Sequence, residues 1–227
     1  MARHFAALVR HGDYHQRENV PSAHQPFALT ACGEQQAHDA AKTLAKLATD
    51  LGAEIDPVID SSQMLRAWAT ADIIATTLTG DFSVICHDAL AERSVGALAN
   101  LSISEINQIV DADPRFDPLP EGWKSDSHFR LPFQGAESLM QSGERVAAHL
   151  TKHMKEFPTR DTLKVFVGHG ASFRHAAHHL GVLRFDEIAA LSMYHARPVV
   201  LEHHADCTWY HVAGDWKVRA KAEPVLD

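Results

Sequence analysis

The stretch His4-Phe-Ala-Ala-Leu-Val-Arg-His-Gly12 decides how this chain is read. From His4 to Val9 it is a short apolar run, the pattern of a strand buried on both faces. It ends abruptly at Arg10-His11-Gly12, where charge, an imidazole and a flexible residue come together. A second run, Leu163 to Val167, ends in the same way at Gly168-His169-Gly170. Between the two, strand and helix signals alternate. Gly33 to Leu51 is rich in Ala, Lys and Gln with apolar positions three and four apart, which predicts a helix. Pro57–Asp60 reads as a strand, Met64–Leu78 as an amphipathic helix closed by Gly80, and Phe82–Cys86 as a third strand. Such alternation implies parallel strands joined by crossover helices. The expected fold is a three-layer α/β/α sandwich around a mostly parallel sheet.

The rhythm breaks between about 94 and 135, where Pro114, Pro118, Pro120 and Pro132 stand among Trp123, Phe129 and Phe133 with one short helix near Ser102–Val110. This segment is read as an insertion that shapes a substrate entrance, with residues 1–227 forming one domain. Helix resumes over Glu137–Phe157, and another is expected over Ser172–Leu180. Pro198–His204, Cys207–Val212 and Trp216–Ala220 read as closing strands.

Bulk properties narrow the function. The 227 residues carry 21 basic and 29 acidic side chains, a formal net charge of −8, which argues against general affinity for nucleic acid or an anionic membrane. Cys32, Cys86 and Cys207 fit neither a zinc spacing nor a disulfide framework. No apolar run approaches the ~20 residues of a membrane span, and the N-terminal stretch is too soon interrupted by charge for a secretory signal. A cytoplasmic location is the expectation.

In an open α/β sheet, ligands bind beyond the carboxyl ends of the strands. That edge gathers His11 and His169, Arg10, Arg66 one turn inside a helix, and Glu92-Arg93 after the third strand. Phosphoryl transfer needs charge held on three equatorial oxygens, and arginine is a permanent forked donor for them. A neutral imidazole can attack phosphorus, and a carboxylic acid can protonate the leaving oxygen. The set therefore reads as phosphate chemistry without a metal or other cofactor. The 17 histidines are otherwise read as structural: His4 at the wrong end of the sheet, His203 and His204 on opposite strand faces, His195 as a surface or core contact. His175, His178 and His179 have a helical spacing that could hold a metal, but packing or support of His169 is the preferred reading.

Six ordered segments, LVRHGDY, LTACGEQQA, SSQMLRAWATA, LAERSVGAL, GAESL and VGHG, resemble the histidine phosphatase superfamily, in the branch that contains the phosphoglycerate mutases. The resemblance implies that His11 is the phosphorylated histidine. Arg10, Arg66 and His169 would complete the phosphate pocket, and Glu92 would be the proton donor. Arg93 is a further substrate-side candidate, with structural ion pairing as its alternative. Tyr14 and Arg17 replace a Ser and an Asn of the mutases, and the mutases' adjacent arginine pair is missing from the insertion, where Lys124, His128 and Arg130 stand instead. These departures favour a phosphatase acting on a small phosphorylated metabolite or a phosphoprotein. Phosphoglycerate mutase-type transfer and a non-catalytic phosphate-binding scaffold are the alternatives, and a homodimer is compatible with either.

Overall fold

The computed structural model describes residues 2–20, 24–155 and 160–219. Strand β1 (His4–Arg10) lies inside the main sheet. Its side chains alternate: Phe5, Ala7 and Val9 join the core on one face, Ala6 and Leu8 the core on the other, as the two-residue period of a strand requires. Both faces being covered, the apolar run is continuous.

Helix α1 (Ala31–Leu51) starts two residues earlier than the sequence pattern indicates, because Thr30 caps it by accepting the Gly33 N–H. It ends at Gly52, whose φ of 67° is left-handed. Strand β2 (Glu54–Ile55) pairs with the start of β5 (Thr162–Gly168), and β3 (Val58–Ser62) with its end, so together they flank one side of β5. Helix α2 (Leu65–Thr77) then crosses to β4 (Ser83–His87), which runs parallel to β3. In the insertion, α3 (Ile103–Ala112) and, after it, α4 (Leu139–Met154) each begin with a reciprocal capping box, Ser102 with Glu105 and Ser138 with Gln141. Helix α5 (Gly170–His179) follows β5 directly.

The sheet order is β4-β3-β5-β1-β7-β8, where β7 (Val199–His203) and β8 (Trp209–Ala213) are antiparallel additions. Helices α1 and α2 cover the face that holds Phe5, Ile59 and Val165, and α4 and α5 the face that holds Leu8, Phe166 and Leu201. The expected three-layer sandwich is observed. The last expected strand is different. Only β9 (Lys217–Val218) forms, and it leaves the main sheet to pair with β6 (Leu191–Ser192); Ala220 lies outside the described residues. Neither β6 nor α6 (Phe185–Ala190) was legible, both being too short to show a period. The 94–135 segment packs Val95, Leu98, Ile106, Trp123 and Leu131 with Ala136 into a small core of its own.

Candidate active site

The loop after β1 is held by close backbone packing. A Cβ at Gly12 would stand 2.5 Å from the Gly33 carbonyl oxygen, and one at Gly33 would overlap the carbonyl oxygen of Asp13. Two glycines thus let the Arg10–Tyr14 turn sit against the start of α1. Asp13 completes the junction: its carboxylate accepts the Thr30 hydroxyl and its N–H donates to Gln36. The Gly12 N–H donates to Thr70 Oγ1 on α2, and that hydroxyl donates to the Arg66 carbonyl. The turn is fixed from both helices on one side of the sheet.

His11 is buried, and its Nδ1 lies 2.7 Å from the Gly12 carbonyl. Since a carbonyl only accepts, Nδ1 carries the hydrogen and the Nε2 lone pair is the reactive one. Burial, and then the charges of Arg66, His169, Arg10 and His195, push the His11 pKa well below 6.5, so the ring stays neutral. Three rings surround it: Tyr14 at 5.2 Å, His169 at 5.3 Å and His195 at 5.4 Å between centroids.

Arg66 is fully buried at the start of α2. Its guanidinium donates to the Gln25 carbonyl and to His169 Nδ1 (3.2 Å in each case) and lies 4.7 Å from the Tyr14 ring centroid. Because guanidinium only donates, His169 Nδ1 accepts from Arg66 and the hydrogen sits on Nε2, 2.9 Å from Ser62 Oγ. Burial and the charges of Arg66 and Arg10 lower its pKa well below 6.5. A phosphoryl oxygen entering beside Arg66 would displace the Arg66–His169 contact and take its donors. Arg10 reaches the Met193 carbonyl at 3.1 Å and passes under Gly170, where an added Cβ would come within 3.2 Å of Arg10 Cδ. The glycine after His169 thus leaves room for the arginine that precedes His11.

Glu92 follows the turn after β4. Its Oε1 accepts the N–H groups of Arg93 and of Ser172, the latter in the first turn of α5. It is close enough to Arg66 for their charges to interact. Arg145 on α4 fixes this segment by donating to the carbonyls of Asp88, Ala89 and Ala91 while pairing with Glu137. Five of the six residues singled out in the sequence thus converge. The sixth, Arg93, is buried next to Glu92, to which its N–H donates, and the charges acting on it are those of Glu92 and Glu137. Lys124 lines a separate hollow with Ser127, Arg174 and His175, whose lining includes neither His11 nor Arg66. His128 stacks near Phe185, and Arg130 is exposed.

Two pocket residues were not anticipated. His195, read from sequence as a surface or core contact, donates from Nδ1 to the His11 carbonyl and packs beside the His11 ring. Tyr14 was noted only as a departure from the mutases, yet it packs against both His11 and Arg66. The one signal available for His195 was its nearness to the strand that pairs with β1.

A family model of the histidine phosphatase superfamily, branch 1, matches residues 6–215. The chain belongs to that superfamily. Among its relatives are two enzymes named 2,3-bisphosphoglycerate-dependent phosphoglycerate mutase. The one from Parvibaculum lavamentivorans is 26% identical, covering 86% of this chain and 88% of its own. The one from Bartonella bacilliformis is 29% identical, covering 91% and 95%. Solved structures of the same fold include the alpha-ribazole phosphatase of Shigella flexneri (TM-score 0.70, 17% identity, 98% and 100% covered). A mycobacterial glucosyl-3-phosphoglycerate phosphatase has a TM-score of 0.67 at 21% identity, with 95% and 98% covered. Membership makes this histidine phosphatase superfamily chain a phosphoryl-transfer enzyme. None of its described helices is long and apolar enough to cross a membrane.

Proposed function

We propose that this protein hydrolyses phosphomonoesters through a phosphohistidine on His11, without a catalytic metal. The observation that carries the reading is the neutral His11 ring, held by the Gly12 carbonyl with Nε2 left reactive beside Arg66 and His169. Nε2 attacks phosphorus and the P–O bond to the leaving group breaks. Arg10 and Arg66 hold the equatorial oxygens, and His169 donates to one of them from Nδ1 once its hydrogen has moved there, the Ser62 hydroxyl then donating to Nε2. Glu92 gives its proton to the departing alkoxide, Oε1 being held by two backbone N–H groups and Oε2 carrying the proton. Water then attacks the phosphohistidine with Glu92 as base, freeing His11 and inorganic phosphate. Two arginines supply the positive charge a metal would otherwise bring, and one carboxylate offers too few hard oxygen ligands for a magnesium site.

Tyr14, which stands where the mutases carry a Ser, packs against His11 and Arg66, and this departure favours hydrolysis over mutation. The missing arginine pair leaves a phosphoglycerate carboxylate without its fork. Within the same proposal the 94–135 segment borders the entrance, and the substrate is a small phosphorylated metabolite or a phosphoprotein. The mutase-named relatives favour a second reading, return of the phosphoryl group to another hydroxyl. Product analysis with 2-phosphoglycerate separates the two: inorganic phosphate means hydrolysis, 3-phosphoglycerate means transfer.

The direct test is an alkaline quench of a labelled reaction in excess EDTA. Label should appear on His11, activity should persist, and His11→Ala should abolish both. Label on a carboxylate, or activity that needs added magnesium, would refute the mechanism.

A further inference from the structure

On the α4 face of the sheet, away from His11, three imidazoles close on one carboxylate. Asp60 Oδ2 lies 3.0 Å from His149 Nε2, 3.4 Å from His87 Nε2 and 3.5 Å from His153 Nδ1. The four donor atoms all lie within 4.8 Å of one another. They come from three elements: Asp60 from β3, His87 from the end of β4, and His149 and His153 from one face of α4, four residues apart.

A buried carboxylate needs one countercharge, and Asp60 already has it. Lys164 on β5, itself buried, donates to Asp60 Oδ1 at 2.8 Å and to the Val58 carbonyl at 2.6 Å. Three imidazoles on the other oxygen exceed what charge balance asks for. His87 Nε2 is buried and, among the described residues, has no hydrogen-bond partner. Hydrogen bonding therefore accounts for only part of the cluster.

We propose that Asp60, His87, His149 and His153 form a tetrahedral site for a divalent transition-metal ion of the zinc type. Zinc bound at about 2.0–2.1 Å by nitrogen and oxygen sets its ligands about 3.4 Å apart. The three Asp60 distances already lie near that edge. The widest pair would have to close by more than 1 Å, and His87 and His153, with side chains 24% and 22% exposed, have room to do so. The donor set, three imidazoles and one monodentate carboxylate, suits zinc over magnesium or calcium, which want oxygen. Lys164 holds the free oxygen of Asp60, the outer contact that orients a ligating carboxylate. Four protein ligands close the coordination shell, so the ion is structural. It would tie the end of β4, and the turn that leads on to Glu92, to α4.

The other histidine groups do not converge in this way. His175 and His178 give Nδ1 to the carbonyls of Ala171 and Leu183, and His179 gives Nε2 to that of Met140. His203 packs on Trp209 and His204 on Tyr210.

The test uses untagged, full-length protein stripped of metal and freed of chelator. Zinc is titrated in competition with a chromophoric chelator, and cobalt is followed by its visible absorption. The expected result is one tight equivalent, an intense tetrahedral cobalt spectrum and a rise in Tm with zinc. His153→Gln and, separately, His87→Asn should each weaken binding at least tenfold and abolish the zinc-dependent rise in Tm. Circular dichroism must show both variants folded, and the surface pair His38→Ala/His204→Ala should bind like wild type. Absence of stoichiometric binding overturns the proposal. So does a weak octahedral cobalt spectrum, or equal affinity in both ligand variants.

Discussion

His175 makes acid sensitivity measurable. It lies on α5 where α4 crosses, at a point so close that a Cβ on Gly143 would overlap the His175 Cβ. Its Nδ1–H donates to the Ala171 carbonyl at 2.7 Å, and its Nε2, 3.0 Å from Ser127 Oγ, accepts the hydroxyl. The ring is thus satisfied as the neutral tautomer. Burial, helped by the charges of Arg174, His179 and Arg93, outweighs the bond to Ala171 and lowers its pKa to about 4. In the unfolded chain the same ring titrates near 6.5. Above 6.5 both states are neutral and His175 adds no pH dependence. Below it the unfolded state takes up a proton that the native state refuses, so stability falls as pH falls towards 4. One pH unit of this imbalance costs about 1.4 kcal/mol. Between pH 7.5 and pH 5 the loss is about 2 kcal/mol, reaching about 3 kcal/mol at pH 4. His11 and His169 are also held neutral by burial, so the wild-type slope contains them too. The difference between wild type and His175→Gln removes them. Urea unfolding of both at pH 7.5, 6, 5 and 4.5 should show the variant's stability falling less steeply. Parallel curves would mean that His175 takes up its proton alike in the native and unfolded states and that its assignment as a buried neutral ring is wrong.

Two further outcomes follow from the site. Glu92→Gln should slow hydrolysis of alkyl phosphates by roughly 10²–10⁴-fold but affect the burst with p-nitrophenyl phosphate much less, since nitrophenolate leaves without a proton; equal loss in the burst would remove Glu92 as the acid. Gly33→Ala should push the Asp13 carbonyl and lower stability by roughly 1–3 kcal/mol, with a fall in kcat because the His11 turn moves; unchanged thermal unfolding and kinetics would show that the close approach has slack.

The sequence by itself determined the layers and the edge where the chemistry gathers. The apolar run Phe5–Val9 and the β-branched and aromatic stretch Leu163–Val167, broken only by Lys164, are too short for helices and fit strands covered on both faces, and each leads to a histidine beside glycine. Parallel pairing then places Arg10 opposite Gly168, so the two histidines had to meet. Arg66 was legible because the first turn of a helix after a strand points back over the same edge. The tertiary structure alone decided the rest. His195 reaches His11 because β7 returns antiparallel beside β1, a pairing about 190 residues apart that no local period encodes. Tyr14 faces inward because the turn is pinned by Gly12 and Gly33. The Asp60 cluster needs β3, β4 and α4 in register at once. Each of its members, read alone, is an ordinary strand aspartate or helix histidine. Local patterns fix which face a residue takes; only packing decides which faces meet.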